Sequence, residues 1–172
     1  MKLFNLSLVA VVAGLVTGCS STAVLKPEYA GYKYNNEKYG KIQVTKAEQV
    51  EKNQRKSARV EELKLADKLM AELKAAKIYD ASAADTITVD VTHLRFRGAF
   101  TAIFWGVMAG PDKLQATVTL KKGASVVASF DVSISYALGG TAGGPTQTRL
   151  DWIGKKFAEE AVKVIASKQT TK

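Results

Sequence analysis

Apolar residues recur along the chain with two periods, and the places where the period changes mark out its elements. Ile42 and Val44 alternate with polar neighbours over Gly40 to Val44, which predicts a short first strand. Thr45 and Glu48 then stand at capping-box spacing, where a hydroxyl and a carboxylate satisfy exposed amides. A helix is therefore expected from here to about Lys77. Its second half sets Val60, Leu63, Ala66, Leu69, Met70 and Leu73 on one face. Its first half is almost wholly polar, with Glu48–Lys52 and Glu51–Arg55 as favourable pairs one turn apart. Thr86 to Phe96 returns to the strand period, with Ile87, Val89 and Val91 on one face. From His93 the apolar parity moves to Leu94 and Phe96, which marks a bulge or a strand passing between environments. Leu114, Ala116, Val118 and Leu120 alternate, Lys121 to Ala124 make a turn, and Val126, Ala128, Phe130, Val132, Ile134 and Tyr136 point inward again. This is the strongest hairpin pattern in the chain. Beyond the glycine-rich run Gly139 to Pro145, a helix from about Gln147 to Ser167 buries Leu150, Ile153, Phe157, Ala161, Val164 and Ile165.

Strand, helix, three strands, helix is the order of an α+β domain. It predicts a mostly antiparallel sheet of about four strands with two main helices on one face. Nothing resembling a linker divides residues 40–172, which are read as one domain. Residues 19–39 mix Ser, Thr, Asn and Gly with Pro27 and four tyrosines, without sustained periodicity. They are read as a tether whose tyrosines pack against the domain.

The first residues have a different character. Lys2 precedes a mainly apolar stretch, Leu3 to Leu15, which closes on Val16-Thr17-Gly18-Cys19. A positive start, a short apolar run and small residues at the cut describe a secretory signal peptide over residues 1–18. A spanning helix needs about 20 apolar residues, so the stretch is too short for one. Val16 to Cys19 resembles the lipobox of bacterial lipoproteins. The resemblance implies that Cys19 receives a thioether-linked diacylglycerol, becomes the mature N-terminus and is then N-acylated. Two or three chains, at about 0.8 kcal/mol per buried methylene, hold to a membrane where one does not. Similarity to lipoprotein sorting in enteric-type bacteria makes Ser20 a signal for the outer membrane, where Asp would favour inner-membrane retention.

Removing 18 of the 172 residues leaves 154, the size of one domain with a substantial core. The mature part has 24 Lys and Arg against 16 Asp and Glu, a formal charge of +8. Export turns that charge away from nucleic acid and towards lipid headgroups, lipopolysaccharide phosphates and cell-wall carboxylates. Cys19 is the single cysteine, so no intrachain disulfide forms and packing alone must hold the fold.

Enzymatic patterns are missing. His93 is the single histidine, which excludes a multi-histidine metal site. No G-x-S-x-G elbow occurs. Gly139 to Pro145 matches neither phosphate-loop pattern, although its amides and the helix start beyond it suit a weakly held anion. Spacing does not bring Asp90, Asp131 and Asp151 together. No catalytic, cofactor or metal residue is assigned.

The unusual segment is Gly98 to Pro111, which carries no charge and connects two strands where a polar turn is expected. Three readings stand: packing on the domain's own core, a protein-docking surface, or a loop dipping into the membrane interface. Phe100, Ile103, Phe104, Trp105 and Met108 are the candidate partner or membrane contacts.

Residues from about Gly40 to Ile165 resemble a family of uncharacterised bacterial lipoproteins known only as a domain of unknown function. Four parts carry the likeness: the helix ending Leu73-Lys-Ala-Ala-Lys-Ile-Tyr79, the strand near Val89, the hairpin from Asp112-Lys-Leu to Tyr136, and the glycine-rich loop before an Ala-rich helix. The order is also similar to small domains of envelope-assembly lipoproteins, such as the curli secretion lipoprotein and activators of cell-wall synthases. In that family the strand before the hairpin carries arginine and glycine around a shorter turn, and here Phe100 to Met108 is a more apolar insertion. The leading expectation is a non-enzymatic outer-membrane lipoprotein facing the periplasm, anchored through Cys19 and acting in envelope assembly or maintenance through contacts with an envelope protein partner. The alternative is a binding module for an anionic envelope component. Cells fed labelled palmitate should label the wild-type chain and leave a Cys19→Ser variant unlabelled; label in the variant would remove the anchor.

Overall fold

The computed structural model describes residues 19–97, 110–138 and 144–167. The apolar insertion and most of the glycine-rich run lie outside them. Five strands form one mixed sheet: β1 (Ser20–Leu25), β2 (Tyr39–Lys46), β3 (Asp85–Arg95), β4 (Asp112–Lys122) and β5 (Ser125–Tyr136), in the order β1-β5-β4-β3-β2. Three helical segments follow β2, namely α1 (Glu48–Glu51), α2 (Gln54–Glu62) and α3 (Leu65–Ala75), and α4 (Thr146–Ile165) is the last helix among the described residues. The protein is an α+β domain, with one strand more than the hydrophobic pattern suggested.

β2 and β3 pair parallel because the helical segments carry the chain back across the sheet; the other neighbours pair antiparallel. The alternating residues Ile87, Val89, Leu114, Val118, Phe130 and Ile134 are fully buried against Leu69, Leu73, Ile153 and Phe157 of α3 and α4. Their opposite faces carry Thr88, Thr117, Thr119 and Ser133, half in water. That clean alternation is what an antiparallel sheet covered on one side requires. The parity change in β3 is a register shift between Val91 and His93, as the pattern indicated.

Several expectations are corrected. The additional strand β1 comes from the segment read as a tether: Ser20 to Leu25 pair with Ser135 to Phe130 of β5, and Ser21 Oγ donates to Glu160 Oε1 at 2.9 Å. Tyr32 and Tyr39 of the same segment are buried, and the Tyr32 hydroxyl donates to the Ile165 carbonyl at 3.0 Å. Thr45 is no helix cap. β2 runs on through Lys46, and the Thr45 hydroxyl donates to Asp90 Oδ1 at 3.0 Å, while Ala47 takes the N-cap position of α1. The long helix is broken twice. Asn53 turns to extended backbone and caps α2 by accepting from the Lys56 amide at 3.1 Å. Glu48 and Lys52 still pair, but Glu51 and Arg55 fall on opposite sides of that break and form no ion pair among the described residues. At the second break Lys64 adopts a left-handed conformation (φ 49°). Val126 was expected inward and is exposed, because the register shifts between Leu120 and Lys121 and flips its parity. Val164 is half-buried, at the margin of the α4 face.

The second break sits against α4. Gly154 of α4 lies so close to this corner that a β-carbon there would come within 2.5 Å of the Leu63 carbonyl oxygen. A hydrogen side chain lets α4 reach the α2–α3 corner and bury Leu63 and Leu65. Gly154→Ala should therefore cost about 1–3 kcal/mol despite the better helix propensity of alanine. Urea unfolding should show a lower midpoint at unchanged slope; an equal or higher midpoint would contradict the close contact.

Candidate functional site

Asp112 opens β4 on the same parity as Leu114 and Val118, so it points into the protein and is fully buried. Two arginines meet it there. Arg97, just past the end of β3, donates from its backbone amide (2.7 Å) and Nε (3.2 Å) to Asp112 Oδ1, and from Nη2 to Oδ2 (3.3 Å). Arg149, in the first turn of α4, donates from Nη1 to Asp112 Oδ2. Other arginine donors reach backbone carbonyls, and Arg149 Nη2 also reaches Thr146 Oγ1 at 3.4 Å. Arg97 Nη2 reaches the Tyr136 and Leu138 carbonyls at 3.2 and 2.8 Å, and Arg149 Nη2 reaches the Arg97 carbonyl at 3.2 Å. Arg149 Nε, also buried, finds no acceptor among the described residues. Two guanidinium groups on one carboxylate leave a formal surplus of one positive charge inside the domain.

Above this cluster lies a cleft of about 540 Å³. Its floor is Leu94, Phe96 and Arg97 at the end of β3, its wall is Asn53, Arg55, Lys56 and Arg59, and Thr146 at the start of α4 closes one side. Phe96 has two guanidinium groups near its ring, with Arg149 Cζ at 4.7 Å from the ring centre and Arg59 Cζ at 6.0 Å. Arg59 also pairs with Glu62. Arg95 lines the cleft too, and its Nη1 sits so near Gly110 that a β-carbon there would lie 2.7 Å away. With φ at +71°, Gly110 suits glycine on both counts. No carboxylate lines the cleft among the described residues. The wall is held in place by hydrogen bonds from Gln49 Nε2 to the Thr92 carbonyl (2.8 Å) and from Lys46 Nζ to Ser57 Oγ (2.8 Å). Such a cleft suits an anion: forked donors around an apolar ring, with further positive charge beneath.

The other candidates fall elsewhere. Cys19 is half-buried at the start of β1 and packs on the core. It lies close to Tyr136, whose phenol burial holds above its usual range, with Cys19 adding to the rise and Arg149 opposing it. His93 is exposed at the β3 bulge. Asp151 pairs with Lys68 at 3.0 Å, a bond that holds its carboxyl below the usual range. Asp90 and Asp131 flank Thr117 in one cross-strand row on the open face, two strand spacings or about 10 Å apart. Thr117 Oγ1 donates to Asp131 at 2.7 Å. Among the described residues no three of His, Cys, Asp and Glu gather as metal ligands, and no helix is long and apolar enough to cross a membrane. Phe100, Ile103, Phe104, Trp105 and Met108 lie outside the described residues.

Sequence reading passed over Asp112, Arg97 and Arg149. Two had a visible signal: Asp112 shares the inward parity of its strand, and Arg149 stands one turn before Ile153 on the apolar face of α4. Arg97 had none, since it stands past the last residue of β3, where strand alternation no longer reports which way a side chain points.

The fold and cleft define a single-sheet α+β domain with a basic pocket at one end of the sheet. The chain belongs to the family of the domain of unknown function DUF4410, whose model matches residues 29–140. No curated protein matches it. Among solved structures it is similar to PelC of Paraburkholderia phytofirmans, described as a dodecamer. A leucine-to-methionine variant of PelC gives a TM-score of 0.49 at 12% identity, covering 88% of this chain and 100% of that one. A second crystal form gives 0.43 at 13% identity, covering 82% and 97%.

Asp112→Asn would leave two buried guanidinium groups without a counter-charge. The variant should lose about 3–5 kcal/mol of stability in urea unfolding, the cost of breaking a buried ion pair from one side. A loss under about 1 kcal/mol would mean that the cluster is not buried as described.

Proposed function

We propose that this protein is a non-enzymatic, lipid-anchored module of the bacterial cell envelope that binds an anionic envelope component in the basic cleft. The observation that supports this reading is the cleft itself: Arg55, Lys56, Arg59 and Arg95 around Phe96, with no lining carboxylate among the described residues and a net positive cluster beneath. The lipobox resemblance supplies the anchor at Cys19 and with it the periplasmic face of the outer membrane. Phosphate and carboxylate are the chemistries that forked guanidinium donors match. Anchoring raises the local concentration of envelope ligands, so a cleft of modest affinity suffices.

A second reading, protein contact in envelope assembly, draws on the sheet edges. β1 and β2 have no outer neighbour among the described residues, and Val24 is 63% exposed on the first. Unpaired edges can accept a partner strand.

Salt separates the two. Calorimetric titration with inorganic tripolyphosphate should show binding at low ionic strength that fades as salt shortens the Debye length to about 3 Å near 1 M. A double Arg55→Gln, Lys56→Gln variant should bind about tenfold more weakly, roughly 1.4 kcal/mol, without loss of folding. Absence of binding at low salt, or full binding by the variant, would overturn the anion reading.

A further inference from the structure

The pairing of the strands places the cleft relative to the lipid. Ser20 pairs with Ser135, Ser135 with Lys113, and Lys113 with Arg95, so one row crosses β1, β5, β4 and β3 at a single end of the sheet. Neighbouring strands lie about 4.8 Å apart, so Arg95 at the cleft is roughly 14 Å from Ser20. Ser20 is bonded to Cys19, and one residue spans at most about 3.6 Å. No tether intervenes, because the residues that would have formed one are already paired in β1. Cys19 itself packs against the core. The opposite end, the β4–β5 turn at Gly123, is ten residues further along β4, or about 34 Å at 3.4 Å per residue.

Resting on the lipidation of Cys19 and on the anion-binding reading of the cleft, we infer that the cleft faces the membrane that holds Cys19 and takes the phosphate headgroups of its anionic lipids. With the acyl chains inserted, Ser20 sits at headgroup level and the row Ser20–Ser135–Lys113–Arg95 lies against the same surface. The domain can pivot about Cys19, and charge selects the orientation. Arg95 and Lys113 in the row, with Arg55, Lys56 and Arg59 beside them, turn this end towards an anionic leaflet. Phe96 among these charges supplies the apolar contact that the glycerol end of a headgroup would meet. The lipid supplies the address and the cleft sets the attitude of the domain on it.

A fluorophore reports the orientation directly. Cys19 is the single cysteine and its sulfur is blocked as a thioether in the lipidated chain, so an introduced cysteine is labelled alone. Labels go at Gln54→Cys beside the cleft and Ala124→Cys in the distal turn, in lipidated protein reconstituted into phosphatidylcholine vesicles with or without phosphatidylglycerol. A headgroup nitroxide lipid serves as quencher. The Gln54 label should be quenched severalfold more than the Ala124 label when phosphatidylglycerol is present, and Arg55→Gln with Lys56→Gln should erase the difference. Equal quenching at the two positions, or a difference that survives charge removal, overturns the inference. Tripolyphosphate binding measured on the same preparations tells the failures apart. If it persists without oriented quenching, a soluble phosphate ligand replaces the headgroup and the anion reading stands; if it is absent too, both fall.

Discussion

A carboxylate with no access to water, Asp112, is shared by two arginines that reach it from different parts of the chain. Arg97 arrives from the end of β3, Arg149 from the first turn of α4, and Asp112 itself starts β4. Arg97 adds the Tyr136 and Leu138 carbonyls at the end of β5. One group of charges thus ties three strands and the last helix together where the hydrophobic layer runs out. The arrangement persists because nearly every donor and acceptor in it is used; a buried charge without a partner would cost several kcal/mol. Apolar packing builds the body of the domain, and this cluster fixes the geometry of one end.

The cleft inherits its character from that end. Phe96 has the guanidinium groups of both Arg149 and Arg59 near its ring, so α2 and α4 each meet the end of β3 through one aromatic side chain. The break at Asn53 turns α2 so that Arg55, Lys56 and Arg59 line one wall. Local backbone choices and the buried ion cluster therefore converge on the same pocket. The incorporation of Ser20 to Leu25 into the sheet ties Cys19, the proposed point of lipid attachment, to the body of the domain, and the proposed orientation of the cleft follows from that.

Much of the fold was legible because apolar alternation reports burial directly. Ile87, Val89, Leu114, Val118, Phe130 and Ile134 declared their strands, Leu69, Leu73, Ile153 and Phe157 their helices, and the parity change at His93 its bulge. The edge strand β1 was not legible. Only half of its residues pack on anything, and Ser, Thr and Ala have no pattern strong enough to distinguish a strand from a linker. The helix breaks were hidden as well: Lys64 is left-handed at a corner that packs closely on Gly154 of α4, far away in sequence. Of the site, Asp112 and Arg149 were written in the pattern as charges on apolar faces, whereas the basic wall looked like an ordinary solvated helix.

Sequence by itself determined the α+β class, the hairpin and the final helix, and it carries the lipobox resemblance on which the proposed anchor rests. Each depends on residues near one another in the chain, where period and composition act locally. Tertiary structure alone decided that β2 and β3 run parallel, that the supposed tether is an edge strand, and that Arg55, Lys56, Arg59, Arg95 and Phe96 share one cleft above a buried Arg–Asp–Arg cluster. Those features join residues dozens of positions apart, and which of them meet is set by the packing of the whole sheet against its helices.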